Sequence, residues 1–395
     1  MPVFKQRVRQ ALAARSAKGL TRTLQCLDGA NRAKFEYGER ALTNFSSNDY
    51  LGLACDADLA LAWQKGIDQC GVGSAASPLV SGFSSAHQAL EDALCTWLGY
   101  SRAILFGSGF SANQAVLFSL LQKGDGLYQD RLNHASLMEA GMLSPAQMKR
   151  FRHNDVDHLA SLLHSTNSQS STLNPQGANM VVTEGVFSMD GDLAPLNAVA
   201  NTCQATDSLL MVDDAHGVGV LGAQGRGSCE QAGVKPDILV VTFGKAFGLS
   251  GAAVMCGAEM GDYLTQFARH HVYSTAIAPS QAYALAHAVD KISLEEWRRE
   301  KLASLQHVYQ QHLGDMSGYI ETNTPIKPFI LGSSDNAMKV ATQLKQQGFW
   351  VTAIRPPTVP SGQARLRLTL TANHSRQDVI NLASAIRPLL EDLRC

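Results

Sequence analysis

The stretch 238–248, Ile-Leu-Val-Val-Thr-Phe-Gly-Lys-Ala-Phe-Gly, joins a strongly apolar run to a lysine that stands between glycines. Four further runs, 103–106, 180–183, 209–213 and 252–256, are also short, nearly continuous in apolar residues and rich in Val, Leu and Ile. Continuous rather than alternating hydrophobicity is typical of strands that are covered on both faces. These runs therefore predict the buried strands of one sheet.

Helix-length patterns, such as 112–121 and 196–204, lie between these runs. Repeated strand–helix–strand order predicts an α/β fold with a mainly parallel sheet. One or two long helices are expected over 279–312, and the strand candidates 326–331, 350–354 and 366–370 then indicate a smaller α+β domain. The polar segment 165–179 is expected to be a surface loop. We expect an N-terminal arm and helix over 1–50, a large domain over 51–285 and a small domain over 286–395.

Charge and composition narrow the class of protein. The 395 residues include 33 Lys+Arg and 34 Asp+Glu, a balance that argues against a dedicated nucleic-acid-binding protein. Charged residues make up 17% of the chain, whereas about 25% is typical, which suggests that surface is hidden in an oligomer. No apolar run approaches the roughly 18 residues that span a bilayer, so no membrane association is expected.

The N-terminal residues and the cysteines suggest a cytoplasmic protein. The first 25 residues lack a secretory signal. Their basic character resembles a mitochondrial presequence, but the helical spacing of Phe4, Val8 and Leu12 favours an ordinary amphipathic helix. The eight cysteines show neither CxxC nor paired spacing, so we expect reduced thiols rather than disulfides or a zinc site.

Two glycine motifs follow predicted strands. Residues 217–222 match GxGxxG, but two carboxylates precede them where a pyrophosphate would arrive, which argues against a dinucleotide site. Residues 107–113, Gly-Ser-Gly-Phe-Ser-Ala-Asn, open a predicted helix, whose free N–H groups could bind a phosphate. A simple strand-to-helix turn is an equally good interpretation of this second motif.

Polar residues end three of the predicted strands, in the stretches 183–191, 213–217 and 242–248. Ligands of open α/β sheets bind beyond the carboxyl ends of the strands. Desolvation there would lower the pKa of Lys245 and make it a nucleophile able to form a Schiff base. A lysine, the aspartate Asp213 and a phosphate cradle are the groups that pyridoxal phosphate requires.

The ordered set GSGFSAN, TEGVFSMDGD, DDAHG and TFGKAFG resembles the α-oxoamine synthases, fold-type I pyridoxal-phosphate enzymes. Further matching stretches are 45–52, 225–229, 352–360 and 365–371, so that the resemblance runs from about residue 4 to the C-terminus. It is strongest to the branch of the family that acts in biotin biosynthesis. The stretch 73–82 departs from the family pattern, which leaves the contacts of that loop open.

The resemblance implies roles for the matching residues around the cofactor. Lys245 matches the Schiff-base lysine, Asp213 the residue that faces the pyridine nitrogen, and His216 the residue near the cofactor O3′. His134 matches the histidine that stacks on the ring, whereas Asp214 is expected to cap or to form a salt bridge.

Other matching residues would hold the cofactor phosphate and the substrates. Gly109 and Phe110 match backbone phosphate donors, Ser188 and Thr242 match hydrogen-bonding positions, and Thr275 resembles a hydroxyl lent by the neighbouring subunit. Among substrate-binding positions, Arg355 resembles the arginine that grips the amino-acid carboxylate, and the others are Arg22, Asn48 and Thr358.

The resemblance further implies the decarboxylative condensation of L-alanine with a pimeloyl thioester, by a homodimer with shared active sites. Whether coenzyme A or an acyl carrier protein bears the acyl group stays open. The alternatives are another α-oxoamine synthase that uses glycine or serine with a different acyl-CoA, a fold-type I aminotransferase, and a non-catalytic partner subunit. Retention of Lys245, Asp213 and His134 argues against the last.

Overall fold

A computed structural model describes residues 2–173 and 177–393, with the side chains of all of these except 166–173. The strands are β1 (Lys34–Tyr37), β2 (Arg40–Asn44), β3 (Arg102–Phe106), β4 (Gly126–Asp130), β5 (Gln147–Phe151), β6 (Asn179–Glu184), β7 (Ser208–Asp213), β8 (Ile238–Thr242), β9 (Ala252–Cys256), β10 (Ile326–Gly332), β11 (Phe349–Trp350), β12 (Thr352–Ile354) and β13 (Ala364–Thr369). The helices are α1 (Val3–Ala17), α2 (Ala57–Cys70), α3 (Ser85–Leu98), α4 (Gly109–Leu120), α5 (Ala135–Leu143), α6 (Val156–Leu173), α7 (Leu196–Ala205), α8 (Ser228–Gln231), α9 (Ala258–Phe267), α10 (Arg269–Val272), α11 (Pro279–Leu294), α12 (Trp297–Leu313), α13 (Ser334–Gln346) and α14 (Arg376–Glu391).

A seven-stranded sheet in the order β3-β9-β8-β7-β6-β4-β5 forms the centre of the molecule. Only β9 runs antiparallel to its neighbours within this sheet, and the other neighbouring strands pair in parallel. The predicted α/β class with a mainly parallel sheet is therefore confirmed. The carboxyl ends of β3, β4, β6, β7 and β8 meet at one edge, where ligands of such sheets bind.

Both faces of the sheet are buried, as the continuous apolar runs predict. Along β8, Ile238 and Val240 pack in the apolar cluster that includes residues of α4, α5 and α9. Leu239 and Val241 pack in the opposite cluster, which includes residues of α3, α11 and α12. Alternate side chains of one strand thus serve two cores, because successive residues point to opposite faces.

The structure corrects several expectations for individual elements. Strands β4 and β5 were not predicted, because β4 carries buried Gln129 and Asp130 and β5 is largely polar. The expected loop 165–179 is helical as far as Leu173, and β6 begins at Asn179, while 174–176 lie outside the described residues. The long helical region divides into α11 and α12.

Two three-stranded sheets, β1-β2-β11 and β10-β13-β12, complete the strand pairing. The predicted strand 350–354 is divided between them, since β11 pairs with β2 and β12 pairs with β13. The N-terminal strands thus pair with a C-terminal one, and the expected domain boundaries stay a prediction. Helix α1 forms, but its apolar residues, including Phe4 and Leu12, are exposed. Among the described residues, no helix combines the length and hydrophobicity needed to cross a membrane.

Asp214 fixes the loops that leave β6 and β7. Its carboxylate accepts the Ser228 N–H (2.8 Å) and hydroxyl (2.7 Å), so that it caps α8, as expected for this residue. A Cβ added at Gly185, Gly217 or Gly227 would lie within 2.3 Å of an Asp214 carboxylate oxygen. Only glycines therefore allow three loop backbones to close around this buried carboxylate.

Candidate functional site

A cavity of about 330 Å³ opens at the carboxyl edge of the central sheet. It brings together eight of the predicted residues: Asn48, Gly109, Phe110, His134, Asp213, His216, Thr242 and Lys245. The cavity is also lined by Asn113, Ser136 and Glu184, which the sequence analysis did not single out. Residues far apart in the chain thus converge, because most of them follow strands whose carboxyl ends meet at this edge of the sheet.

Asp213 ends β7 and is held by two hydrogen bonds. Its Oδ1 accepts the Ala215 N–H (3.1 Å), and its Oδ2 accepts the Asn113 side-chain amide (2.7 Å). The same amide group contacts the Ser136 hydroxyl (2.9 Å), so that α4 and α5 are both linked to this carboxylate. With 5% of its surface exposed, Asp213 is a fixed negative charge on the cavity wall.

His134 caps α5 and presents a neutral ring to the cavity. Its Nδ1 accepts the Ser136 N–H (3.2 Å) and lies 2.8 Å from the Ser136 hydroxyl. Because a backbone N–H can only donate, Nδ1 carries no proton and Nε2 does. Burial lowers the pKa of His134, and Lys245 lowers it further, against the opposing charge of Asp213. The ring is therefore uncharged at neutral pH.

Burial also shifts the pKa values of Lys245 and Glu184. Desolvation lowers the pKa of Lys245 from 10.5, although Asp213 and Glu184 oppose this, and the charge of Arg367 lowers it further. Desolvation and the charge of Asp213 raise the pKa of Glu184 well above its ordinary value. The pKa of Glu184 is thus shifted in favour of its neutral form, and that of Lys245 in favour of the free amine.

The N-terminus of α4 and strand β8 meet at one end of the cavity. A Cβ at Gly109 would lie 2.5 Å from Thr242 Cγ2, so that only glycine allows this approach. The first N–H groups of a helix have no acceptor within the helix and suit a phosphate. Ser108 caps the helix by accepting the Ser111 N–H (3.1 Å), which leaves the Gly109 and Phe110 end facing the cavity.

Three buried polar atoms of the cavity wall have no hydrogen-bond partner within the described part of the chain: Asn113 Oδ1, Glu184 Oε1 and Thr242 Oγ1. Unpaired buried polar atoms are costly, so their convergence on one cavity indicates a polar ligand. A lysine amine, an aspartate and a helix N-terminus occupy the same wall. The residues present therefore fit pyridoxal phosphate.

A second cavity, of about 280 Å³, collects three further predicted residues, Arg22, Arg355 and Thr358, together with Arg15. Arg355 Nη1 donates to the Gly19 carbonyl (3.3 Å). The arginine expected to grip the carboxylate thus lies with the other basic side chains and does not line the cavity that holds Lys245. Three guanidinium groups around one cavity favour an anionic ligand.

Ser188 and Thr275 also lie outside the wall of the first cavity. Ser188 contributes its carbonyl, which accepts Arg367 Nε at 2.6 Å, and Thr275 is exposed. The segment that carries Thr275 is hydrogen-bonded to the loop 73–82, which departs from the family pattern. The Ser74 hydroxyl donates to the Ile277 carbonyl (2.5 Å), and the Ala276 N–H donates to Ala76 (3.0 Å).

Arg367 was missed because it lies in an alternating Arg-Leu-Arg-Leu strand, a pattern typical of a solvated face. It is 7% exposed, and its Nη1 and Nη2 both donate to Asn48 Oδ1 at 3.2 Å. Tyr50 was missed although it neighbours Asn48; its phenol lies 2.6 Å from His216 Nδ1. The available signal was that both residues lie in stretches that match the family pattern, 45–52 and 365–371.

His153 holds the loop between β6 and α7, which carries Ser188. Its Nδ1 lies 3.0 Å from Asp130 Oδ1 and its Nε2 lies 2.8 Å from Asp192 Oδ2. The ring also packs edge-on against Phe187, with centroids 4.4 Å apart. Burial alone would lower the pKa of His153, but the two aspartates outweigh it and raise the pKa to about 10.

Comparison with known proteins finds relatives along nearly the whole chain. The family model described as aminotransferase class I and II matches residues 40–386. An 8-amino-7-oxononanoate synthase of Vibrio parahaemolyticus is 60% identical over 390 residues, which cover 99% of each chain. Among solved structures, a serine palmitoyltransferase of Sphingomonas wittichii has a TM-score of 0.87 at 29% identity and covers 98% of both chains. An 8-amino-7-oxononanoate synthase of Francisella tularensis has a TM-score of 0.74 at 28% identity, over 89% of this chain and 98% of that one.

We expect His153→Gln to lower the free energy of unfolding, by on the order of 2 kcal/mol at pH 6, because it removes a cation from between two carboxylates. Since the folded-state pKa is raised, this contribution is complete below pH 6.5 and is lost as pH rises towards 10. Urea unfolding from pH 6 to pH 9.5 measures it, with exposed His307→Gln as control. A difference between wild type and variant that stays constant or grows with pH would contradict the assignment.

Proposed function

Since the chain belongs to the class I and II aminotransferase family, and within it to the 8-amino-7-oxononanoate synthases, we propose that the site described above condenses L-alanine with a pimeloyl thioester. The products are 8-amino-7-oxononanoate, CO2 and the free thiol carrier, in biotin biosynthesis. The observation that carries the assignment of the site is the convergence of Lys245, Asp213, His134 and the α4 N-terminus on one cavity.

Lys245 is the residue that holds the cofactor and moves the proton. Bound pyridoxal phosphate supplies an electron sink for the bonds broken at the amino-acid Cα. The lowered pKa of Lys245 leaves a larger fraction of the amine unprotonated, as a nucleophile and a base both require. Released by L-alanine, the amine takes the Cα proton, and it returns a proton after the acyl group has been added and CO2 lost.

Asp213 and His134 hold the two sides of the ring. Asp213, fixed by Asn113 and Ala215, would face the pyridine nitrogen of the bound cofactor and favour its protonated form. His134, neutral and oriented by Ser136, offers a flat ring face for stacking. Gly109, Phe110 and Thr242 bind the phosphate, while Ser188 and His216 are assigned to hydrogen bonds with the cofactor.

The two arginines that the sequence and the structure single out have separate tasks. Arg367 and Asn48 bind the carboxylate of L-alanine. Arg367 is buried and hydrogen-bonds to Asn48, which lines the cavity, and its charge lowers the pKa of Lys245. Arg355 acts with Arg22 and Thr358 on the acyl thioester, whose carrier brings phosphate whether it is coenzyme A or an acyl carrier protein. This moves the carboxylate-binding task from Arg355, where the resemblance placed it, to Arg367.

The working unit is a cytoplasmic homodimer. Apolar side chains that are 38% to 76% exposed stand on or beside α4, α5, α9 and α10: Phe118, Met142, Leu143, Phe267 and Tyr273. Patches of this kind are typical of interfaces between subunits. Thr275 follows Tyr273 on this surface, where it would serve the site of the neighbouring subunit. The free thiols of the described cysteines suit a reducing compartment.

Lys245→Ala should abolish turnover and the visible absorbance of lysine-bound cofactor, because no other group in the proposed mechanism can form that bond. The assay is product identification by mass spectrometry with pimeloyl-CoA and L-alanine, glycine or serine. Lys123→Ala, at an exposed lysine, serves as control. A Lys245→Ala protein that kept both signals, or a wild type that preferred glycine or serine, would refute the proposal.

Arg367→Gln should raise the KM for L-alanine roughly 10- to 100-fold, the range expected when charge-assisted hydrogen bonds to a carboxylate are lost. Arg355→Gln should instead raise the KM for the acyl thioester and leave that for L-alanine within about twofold. Steady-state kinetics with each substrate varied in turn separate the two. The reverse pattern would return the carboxylate to Arg355.

Sedimentation equilibrium should give twice the chain mass of 42.4 kDa at assay concentration. Leu143→Arg should weaken this dimer, because it places a charge in the apolar surface, whereas Leu294→Arg, at the exposed end of α11, should not. A wild-type monomer that is fully active at assay dilution would exclude the shared site.

A further inference from the structure

Tyr50 is a buried phenol that the mechanism above does not use. Its relative exposure is 0%, and its oxygen lies 2.6 Å from Nδ1 of His216, a residue of the cavity wall. A contact this short between a phenol and an imidazole shares one proton, which must start on one of the two groups. The direction of the bond decides which nitrogen of His216 can donate into the cavity.

The neighbours of the phenol determine this direction. Besides His216, the other acceptor recorded for the Tyr50 O–H is Asn48 Oδ1, at 3.4 Å. A carbonyl oxygen has two lone pairs, and this one already accepts Nη1 and Nη2 of Arg367, each at 3.2 Å. The proton of the phenol therefore goes to His216 Nδ1, the much nearer acceptor at 2.6 Å.

Protonation states agree with this geometry. Burial raises the pKa of Tyr50 to about 12, even though Arg367 opposes it, so that the phenol keeps its proton. Burial lowers the pKa of His216 well below 6.5, and the charges of Lys245 and Arg367 act in the same direction. A neutral imidazole has a single N–H, and with Nδ1 as the acceptor this N–H is at Nε2.

We infer that Tyr50 is a positioning residue: it holds His216 in the tautomer whose Nε2–H donates into the cavity, to an oxyanion of the bound ligand. The inference rests on the proposed function only for the identity of that oxyanion, the ring oxygen of the cofactor. The tautomer itself depends on residues of this chain. Asn48 links this pair to the proposed carboxylate site, because its Oδ1 lies 3.4 Å from the Tyr50 hydroxyl and accepts Nη1 and Nη2 of Arg367.

The test compares Tyr50→Phe with Tyr309→Phe in the holoenzyme. Tyr309 is equally buried and its hydroxyl has no partner among the described residues, so that it controls for the loss of a buried hydroxyl. The imidazole nitrogens are observed by NMR after selective ¹⁵N-histidine labelling, and His216→Gln identifies the signals of His216. Cofactor affinity is measured by equilibrium dialysis against pyridoxal phosphate.

Wild type and Tyr309→Phe should show a pyridine-type Nδ1 and a pyrrole-type Nε2 at His216. Tyr50→Phe should lose this pattern, with cofactor affinity about fivefold weaker, the effect of about one hydrogen bond. A protonated Nδ1 in wild type, or unchanged His216 signals in Tyr50→Phe even with reduced stability, would overturn the inference. Because the NMR signature does not depend on turnover, a failure of the proposed reaction would be seen separately, with the Lys245→Ala assay.

Discussion

The burial of Lys245, Asp213 and Glu184 at one edge of the sheet is the constraint on which the rest of the site depends. Charged groups removed from water cost several kcal/mol each unless partners compensate. Here the compensation is unequal, because Asp213 accepts two hydrogen bonds, whereas burial raises the pKa of Glu184, whose Oε1 has no partner among the described residues. The outcome is one carboxyl group held by hydrogen bonds, a second whose neutral form is favoured, and an amine that is more easily deprotonated.

Much of the surrounding structure serves to maintain this arrangement. Consecutive residues 48–50 illustrate it, since each supports a different part of the site. Asn48 meets Arg367, Tyr50 meets His216, and Asp49 between them accepts the N–H groups of Leu53 (2.8 Å) and Ala54 (3.1 Å). A Cβ at Gly248 would lie 2.3 Å from the Ala54 nitrogen, so the lysine loop packs directly on the turn that Asp49 forms.

The sequence predicted those parts of the fold whose physics is local. Apolar runs identified β3, β6, β7, β8 and β9, because strands covered on both faces have few polar residues. β4 escaped, because Asp130 is buried there for its contacts with His153 and Asn154, partners that a local pattern does not reveal. In the site, residues such as Lys245 and Asp213 were found from their motifs, whereas the roles of Asn113, Glu184 and Arg367 depend on neighbours from other elements. The placement of Arg355 in a second cavity is likewise a property of tertiary structure.

The antiparallel direction of β9 has a consequence for the lysine loop. Because β8 and β9 are adjacent and oppositely directed, the connection between them leaves and re-enters the sheet at the same edge, closed by the bond from the Phe243 N–H to the Gly251 carbonyl (2.9 Å). Within it, the Leu249 N–H returns to the Phe243 carbonyl and the Gly248 N–H to that of Lys245. These hydrogen bonds hold the loop backbone in place. When a substrate amine displaces Lys245, only the side-chain torsions of the lysine can therefore change. The liberated amine therefore stays at a high effective concentration beside the atom it has left, as a catalytic group reused within one turnover must.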